Sequence, residues 1–256
     1  MRSWLFGPPE AWAITPADPA RVAFLLVQPF AHRGLHDRLR IENSRTAFRA
    51  AIAAGHGIEL DIQPASGSEP FVFHDDDLER LTQERGRVDE HRADDVARIV
   101  LAGTDETIPR LDEILALIGE RVPLLIEIKM PRHRRVALCM AVRRALEGYR
   151  GDVAIMSFDP RIPAWFAEHA PRIVRGLVVT DGDRRRGKIR RKIERVLALQ
   201  LAKPDFVACD VRDLPSATSI AARKRGLPVL TWTVRDAESR AVAAEHADQP
   251  IYEREP

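Results

Sequence analysis

The sequence predicts an α/β protein with a (β/α)8 (TIM) barrel fold and a small insertion after the third strand. From Pro29 onward, short apolar runs alternate with longer segments of helical periodicity, which is the pattern of successive βα units. Eight such runs with helices between them favour a closed barrel over an open sheet. The length of 256 residues fits one barrel domain. We therefore expect a proline-broken lead-in over residues 1–29 and a barrel over residues 30–256.

The predicted strands are brief and apolar, as buried parallel strands are. In chain order they are Phe30–Ala31, Ile58–Ile62, Phe71–Phe73, Leu124–Ile128, Val153–Met156, Val174–Val179, Phe206–Cys209 and Val229–Trp232. The predicted helices are Ser44–Ala54, Leu111–Ile118, Arg134–Glu147, Pro160–His169, Arg190–Leu201, Pro215–Lys224 and Ala237–Glu245. Capping residues such as Ser44 and helix stops such as Gly148 stand where these helices need them. The charged stretch after His74 fits no βα unit, so we expect the insertion at about residues 75–109.

Composition and charge exclude several classes of protein. Hydrophobic residues make up 45% of the chain and charged residues 30%, which excludes a disordered chain and a membrane-spanning one. Forty basic residues against 38 acidic ones leave no overall field that would favour nucleic acid or a membrane. The two cysteines, Cys139 and Cys209, are too few for a disulfide framework, and we see no signal peptide. The expected location is the cytoplasm.

Two charged triplets stand inside or at the ends of predicted buried strands. Glu59 and Asp61 are two residues apart and point to the same face of a strand, and Glu127 and Lys129 repeat this arrangement. Three carboxylates would offer the hard oxygen ligands that Mg²⁺ or Ca²⁺ prefers, and Lys129 would neutralise an anion bound there. The alternative is structural, with the acids paired to Lys129 or Arg33 inside the barrel.

Two histidines follow predicted strands at the rim where barrel enzymes place their active sites. His32 and His74 come directly after the first and third apolar runs. A histidine pair beside a phosphate can act as general base and general acid, because imidazole exchanges its proton near neutral pH. Arg33 offers a planar fork for phosphate oxygens, and Gly34 permits a tight turn. Each histidine alone could instead be a structural residue.

These residues belong to a longer series of motifs that resembles the glycerophosphodiester phosphodiesterases from about residue 30 to the end. The series comprises His32-Arg33-Gly34, Glu42-Asn43-Ser44, Ala47-Phe48, Glu59-Leu60-Asp61-Ile62, Val72-Phe73-His74-Asp75, Leu78, Arg80, Thr82, Pro109, Leu111 to Glu113, Glu127-Ile128-Lys129, Ser157-Phe158 and Trp232-Thr233-Val234. Its order and spacing are far more specific than any single short motif.

The resemblance implies a barrel enzyme that uses a divalent metal, Mg²⁺ or Ca²⁺, to hydrolyse glycerophosphodiesters to an alcohol and glycerol 3-phosphate. The implied site residues fall into four groups. The metal ligands would be Glu59, Asp61 and Glu127, the acid and base pair His32 and His74, the phosphate-binding residues Arg33 and Lys129, and the supporting residue Glu42. Which histidine is the acid, and whether water or the glycerol hydroxyl is the nucleophile, stay open.

The chain departs from the family pattern at two places. Arg235 stands where the family usually has asparagine, and the last six residues lack the usual threonine-aspartate pair. These departures leave the leaving-group alcohol open. Trp232 would line the glycerol or head-group pocket, or else pack in the barrel core.

A basic cluster runs from Arg184 to Arg195, with Glu194 as its only acid. It could draw anionic substrates to the protein or dock it on an acidic lipid surface, or it could be a solvated helix face. Three interpretations of function follow: a soluble phosphodiesterase of small glycerophosphodiesters, a phosphodiesterase of lysophospholipid or another lipid at a membrane surface, and a non-enzymatic barrel used as a binding module. Nucleic acid is not an expected partner, because no aromatic residues interleave the charges.

Overall fold

The computed structural model describes residues 14–129, 134–180 and 187–254. The described residues form two compact units. One unit comprises the residues up to Pro29 together with Met156–Tyr252, and the other comprises Phe30–Ile155 together with the residues from Glu253 onward. None of the helices in the described ranges has both the length and the hydropathy that a membrane span requires.

Strands and helices alternate along the chain as in a (β/α)8 barrel. The strands are β1 Phe30–Ala31, β2 Gly57–Pro64, β3 Pro70–Val72, β4 Leu124–Ile128, β5 Val153–Ser157, β6 Val174–Val179, β7 Phe206–Asp210, β8 Val229–Val234 and β9 Gln249–Tyr252. The helices are α1 Pro19–Val22, α2 Arg45–Ala53, α3 Ala93–Val96, α4 Leu111–Ile118, α5 Arg135–Ala145, α6 Arg161–His169, α7 Lys188–Ala202, α8 Ala217–Lys224 and α9 Ala237–His246. Short 3-10 segments cover Ala23–Leu26, Val88–Glu90 and Val211–Asp213.

In the unit that contains Phe30–Ile155, β2 is the central strand. It pairs in parallel with β1 on one side and with β4 on the other. All residues of β2 and β4 are buried, so the charged side chains on these strands lie in the interior. The register places Asp61 beside Glu127 and Leu60 beside Ile126, which brings the two charged triplets onto adjacent strands.

The prediction that Phe71–Phe73 forms the third parallel strand of the barrel is wrong. β3 pairs antiparallel with the end of β2, with Ile62 opposite Val72. The segment between β2 and β3 has five residues, whereas a parallel partner needs a crossover of about a dozen residues or more. β3 is therefore the return strand of a hairpin, and the strand that the sequence prediction missed is β9, which pairs in parallel with β8.

The predicted insertion has a small hydrophobic core of its own. Its buried apolar side chains include Leu78, Val88 and Leu101, which pack together with Phe71 of β3 and with Phe73. Glu106 of this segment accepts hydrogen bonds from the first two backbone amides of α2, at 2.8 and 3.1 Å. These contacts place an acidic side chain at the positive end of the α2 dipole.

In the other unit, β6, β7, β8 and β9 pair in parallel in chain order. Their core includes Leu177, Val207 and Val229. Ile14 is buried in the same core, so the described part of the predicted lead-in packs as part of this unit. Asp18 caps α1 by accepting a hydrogen bond from the amide of Ala20 at 3.0 Å.

Candidate active site

Three carboxylates meet in the interior of the unit that contains Phe30–Ile155. Glu59 and Asp61 lie on β2, and Glu127 lies on β4 as the direct neighbour of Asp61. Each offers one oxygen, and these oxygens all lie within 4.8 Å of one another. Glu59 and Asp61 have no solvent exposure, and Glu127 is also buried. The structure therefore brings together the three acids predicted as metal ligands.

Two cations share these acids. The Nζ of Lys129 lies 2.7 Å from Asp61 Oδ1 and 2.6 Å from Glu127 Oε1. The Nε of Arg33 lies 3.2 Å from the second oxygen of Asp61. Asn43 also donates to that oxygen, at 2.9 Å. Asp61 is thus the most fully paired of the three carboxylates.

The pKa values of the three carboxyl groups therefore shift in different directions. Burial, reinforced by the charges of Asp61 and Glu127, raises the pKa of Glu59 well above its usual range. Burial also raises the pKa of Glu127, against the opposing effect of Lys129. Burial acts in the same direction on Asp61, but Lys129 and Arg33 outweigh it and hold the pKa of Asp61 below its usual range. Of the three acids, Glu59 is therefore the one whose ionised form is stabilised least by the surrounding residues.

The donor set fits a divalent cation. Glu59 Oε1 is buried and has no hydrogen-bond partner among the described residues. An orphaned carboxylate oxygen in the interior is costly unless something compensates its charge. A cation held by Glu59, Asp61 and Glu127 would supply that compensation, and carboxylate oxygens are the ligands that Mg²⁺ and Ca²⁺ prefer.

A tight turn after β1 carries Arg33 to the carboxylates. Arg33 has a φ of 55° and Gly34 a φ of 80°, so two consecutive residues adopt the left-handed region. A Cβ at Gly34 would lie 2.9 Å from the Cβ of Ala47, which is why only glycine fits there. The turn aims the Arg33 amide at Glu59 Oε2, 3.0 Å away.

His32 follows β1. Its ring contacts the carboxylate of Glu253, a residue that the sequence analysis did not identify. The Nδ1 of His32 lies 2.6 Å from Oε1 of Glu253, and its Nε2 lies 3.9 Å from Glu59 Oε2. Burial lowers the pKa of His32, although the hydrogen bond to Glu253 opposes this shift. Glu253 directly follows β9, the strand that the sequence prediction missed, so its place at a strand end could not be recognised from the sequence.

His74 follows β3, and its Nδ1 lies 2.6 Å from Asp75 Oδ1. Arg80 of the insertion bridges two acids. Its side chain donates hydrogen bonds to Asp75 and to both carboxylate oxygens of Glu42, and the two bonds to Glu42 are 2.7 and 2.9 Å long. Glu42, which the resemblance implies as a supporting residue, in turn accepts a hydrogen bond from Arg33 at 2.7 Å. Burial raises the pKa of Glu42, but Arg80 and Arg33 outweigh it and hold that pKa below its usual range.

Two other predicted features belong to the unit that contains Met156–Tyr252. Trp232 lies in this unit, where its Nε1 donates to the carbonyl of Ala208 at 3.1 Å and its ring meets Phe158 edge to face at 5.5 Å. Its assignment to a glycerol or head-group pocket stays a prediction. Of the basic cluster, Arg184 to Arg186 lie outside the described residues, whereas the residues from Arg190 to Arg195 belong to α7.

The model of the glycerophosphoryl diester phosphodiesterase family matches residues 32–249. The chain belongs to this family. The residues that the resemblance named for the metal, the phosphate and the two histidines all lie within the matched segment.

Curated relatives carry the same family name. The chain is 29% identical over 163 residues to a glycerophosphodiester phosphodiesterase of Bacillus altitudinis, an alignment that spans 59% of this chain and 66% of that protein. It is 26% identical over 147 residues to human glycerophosphodiester phosphodiesterase 1, spanning 53% of this chain and 44% of that protein. The chain thus spans less than two thirds of the length of these relatives.

Solved structures of the family confirm the predicted (β/α)8 fold. An Oleispira antarctica phosphodiesterase in complex with the product sn-glycerol-3-phosphate superposes with a TM-score of 0.77 at 20% identity, covering 90% of this chain and 93% of that chain. A glycerophosphodiester phosphodiesterase from Thermotoga maritima superposes with a TM-score of 0.69 at 23% identity, covering 88% and 94%.

Proposed function

We propose that this protein is a metal-dependent phosphodiesterase that hydrolyses small glycerophosphodiesters to an alcohol and glycerol 3-phosphate. The observation that carries the proposal is the buried carboxylate triad with an orphaned Glu59 oxygen, flanked by Lys129, Arg33 and two histidines whose Nδ1 atoms bind carboxylates. A binding module would not need this set. The relatives named as phosphodiesterases support the same reaction, and the Oleispira antarctica structure holds the proposed product.

Glu59, Asp61 and Glu127 would hold Mg²⁺ or Ca²⁺. When bound, the cation supplies charge stabilisation for the phosphoryl oxygens and helps to orient the ester. It also neutralises a cluster in which three acids share two cations.

Arg33 and Lys129 would bind the phosphate diester. Both side chains are already anchored by buried carboxylates, Arg33 by Asp61 and Glu42 and Lys129 by Asp61 and Glu127. Anchored cations need little reorganisation when negative charge grows on the phosphoryl oxygens, and such preorganised charge is usually the largest contribution to catalysis. Glu42 is then a positioning residue, because it acts through Arg33.

His32 and His74 would supply the base and the acid. In each ring Nδ1 is bonded to a carboxylate, which favours the tautomer with the proton on Nδ1 and leaves Nε2 for proton exchange with the substrate. One histidine removes the proton of the nucleophile, and the other gives a proton to the alkoxide as the phosphorus–oxygen bond breaks. The products are the free alcohol and the phosphate monoester.

Turnover of glycerophosphocholine and glycerophosphoethanolamine tests the proposal. We expect release of glycerol 3-phosphate with Mg²⁺ or Ca²⁺, and none with a chelator. His32→Ala should lower the release about 10² to 10⁴ fold. His169→Ala is the matched control, because His169 lies on the exposed surface of α6 with its Nδ1 on the carbonyl of Trp165.

Two results would overturn the proposal. Equal turnover with metal and with chelator would show that the reaction does not require a cation bound by the carboxylate triad. If a folded protein that binds metal turned over neither substrate, small glycerophosphodiesters would be excluded as its substrates. Lysophospholipids would then be the next substrates to assay.

A further inference from the structure

Helix α7, Lys188–Ala202, has two apolar faces, and its inner face is already packed. Leu199 and Ala202 are fully buried in the hydrophobic core of their unit, and Val196 and Ala198 pack partly against it. This inward stripe accounts for the attachment of the helix to the β-strands beneath it. The second apolar face therefore requires a different explanation.

The outer face carries four large aliphatic side chains at intervals of four residues. Ile189, Ile193, Leu197 and Leu201 are 78%, 54%, 57% and 48% exposed. Residues four apart lie on one side of a helix, so the four form a continuous stripe. No other helix in the described ranges exposes more than two large hydrophobic side chains. A continuous exposed apolar stripe of this kind marks an interaction surface.

The charges on the same helix indicate what kind of partner covers the stripe. Between Arg190 and Arg195, four residues are basic and Glu194 is the only acid. Arg190 and Lys192 are exposed beside the stripe, and Arg190 lies 2.9 Å from Glu194. A helix with lysine and arginine beside a stripe of large aliphatic residues is typical of segments that lie in a membrane interface. Two copies of this face would bring like charges together, which disfavours a second copy of the chain.

We propose that α7 docks the protein on the surface of a bilayer that contains anionic phospholipid. Ile189, Ile193, Leu197 and Leu201 enter the headgroup region, and Arg190 and Lys192 bind lipid phosphates. The helix does not span the bilayer. The proposal goes beyond the proposed phosphodiesterase reaction and does not depend on it, since the docking surface contains none of the residues assigned to that reaction.

Co-sedimentation with vesicles tests the docking surface. We expect the purified protein to bind vesicles of phosphatidylserine and phosphatidylcholine, and to lose most of that binding in 0.5 M NaCl or on pure phosphatidylcholine. Ile193→Ser combined with Leu197→Ser should reduce binding about tenfold or more. Arg190→Glu combined with Lys192→Glu should reduce it by a similar factor without changing the stripe.

Val136→Ser combined with Met140→Ser is the matched control. These residues also lie four apart on a helix, and each is 51% exposed. The control should sediment as the unaltered protein does, and the substituted proteins should melt at the same temperature, because all these side chains are exposed. Absence of binding to anionic vesicles overturns the proposal, as does equal loss in the control. A dimer in light scattering that disappears in the Ile193 and Leu197 variant, with no vesicle binding, would assign the stripe to a second copy and overturn it as well.

Discussion

The two compact units of this protein stabilise buried carboxylates in different ways. In the unit that contains Met156–Tyr252, Asp159 and Asp210 each bind the arginine two residues further along the chain. Arg161 and Arg212 donate both from the backbone amide, at 3.0 Å, and from the guanidinium. Each acid therefore has its own cation within three residues.

At the centre of the unit that contains Phe30–Ile155, Glu127 also pairs with a cation two residues further along the chain, but that cation, Lys129, is shared with Asp61. Glu59, Asp61 and Glu127 come from two strands and share Arg33 and Lys129, and one oxygen of Glu59 has no partner among the described residues. A locally paired acid stabilises a loop and needs nothing further. A cluster with more acids than cations needs an additional positive charge, and this deficit distinguishes a binding site from a structural ion pair.

Glu59→Gln would test this distinction with the largest expected effect. Turnover should fall about a thousandfold or more, because a bound cation supplies several kcal/mol of charge stabilisation to the reaction. Metal binding, measured by calorimetry, should be lost. The free energy of unfolding of the metal-free protein should not fall, because burial already disfavours the charged form of Glu59 and glutamine has nearly the same shape. Unchanged metal affinity in the variant would contradict the assignment of Glu59.

Substitution of the histidines should separate proton transfer from metal binding. His32→Ala and His74→Ala should each lower turnover of glycerophosphocholine about 10² to 10⁴ fold with metal affinity retained. A substrate with a p-nitrophenolate leaving group needs no general acid. The variant that lacks the acid histidine should therefore turn over this substrate at nearly the rate of the unaltered protein. The variant that lacks the base should stay slow. Recovery of neither variant, or of both, would contradict the division of roles.

Glu253→Gln should have a smaller effect. The Glu253 carboxylate holds Nδ1 of His32 at 2.6 Å, and loss of such an orienting contact typically costs about 10 to 100 fold in activity. We expect the loss in kcat, with KM and metal affinity nearly unchanged. Glu253→Asp, which keeps the charge, should restore part of the rate. An equal loss in both variants would indicate a packing defect instead.

Asp210→Asn is the counterpart in the other unit, with the smallest expected effect. Burial raises the pKa of Asp210, but its hydrogen bonds to Arg212 outweigh this and hold the pKa below its usual range. A lowered pKa in the folded state stabilises the protein above the unfolded pKa, and this stabilisation is lost as the pH falls through the folded value. The variant should therefore be less stable at pH 7, by about 1 kcal/mol since Arg212 is largely exposed, and this difference should shrink as the pH falls below the usual range of an aspartate.

Denaturant unfolding across this pH range measures the Asp210 effect. The shift in melting temperature on adding Mg²⁺ or Ca²⁺ should be the same as in the unaltered protein. A deficit that persists undiminished at low pH would show that packing, rather than the ion pair, accounts for the loss.

Much of the fold could be predicted from the sequence, because buried parallel strands are short apolar runs. β1, β4 and β6 begin and end at the predicted residues. The direction of β3 could not be read from its apolar character, since Phe71 and Val72 suit either orientation; only the short segment before it indicates a hairpin. β9 was missed because Gln249–Tyr252 is a mixed, brief segment without a clear period.

The candidate site was predictable where acids interrupt buried strands. Glu59, Asp61 and Glu127 are conspicuous there because buried charges are costly, and Lys129 lies beside them in the sequence. Glu253 was not predictable in the same way, since it lies 221 residues from His32 and only the fold brings the two together. The exposed stripe on α7 also required the structure, because the helical period alone does not show which of two apolar faces is packed.

The bridge that Arg80 forms between Glu42 and Asp75 has a consequence for protein engineering. The segment after His74 resembles an exchangeable module, since it has its own small hydrophobic core. Arg80 nevertheless belongs to the framework that holds the neighbours of His74 and Arg33. A chimaera that takes this segment from a relative should therefore keep an arginine at this position, and a shortened loop should retain the residues that present it.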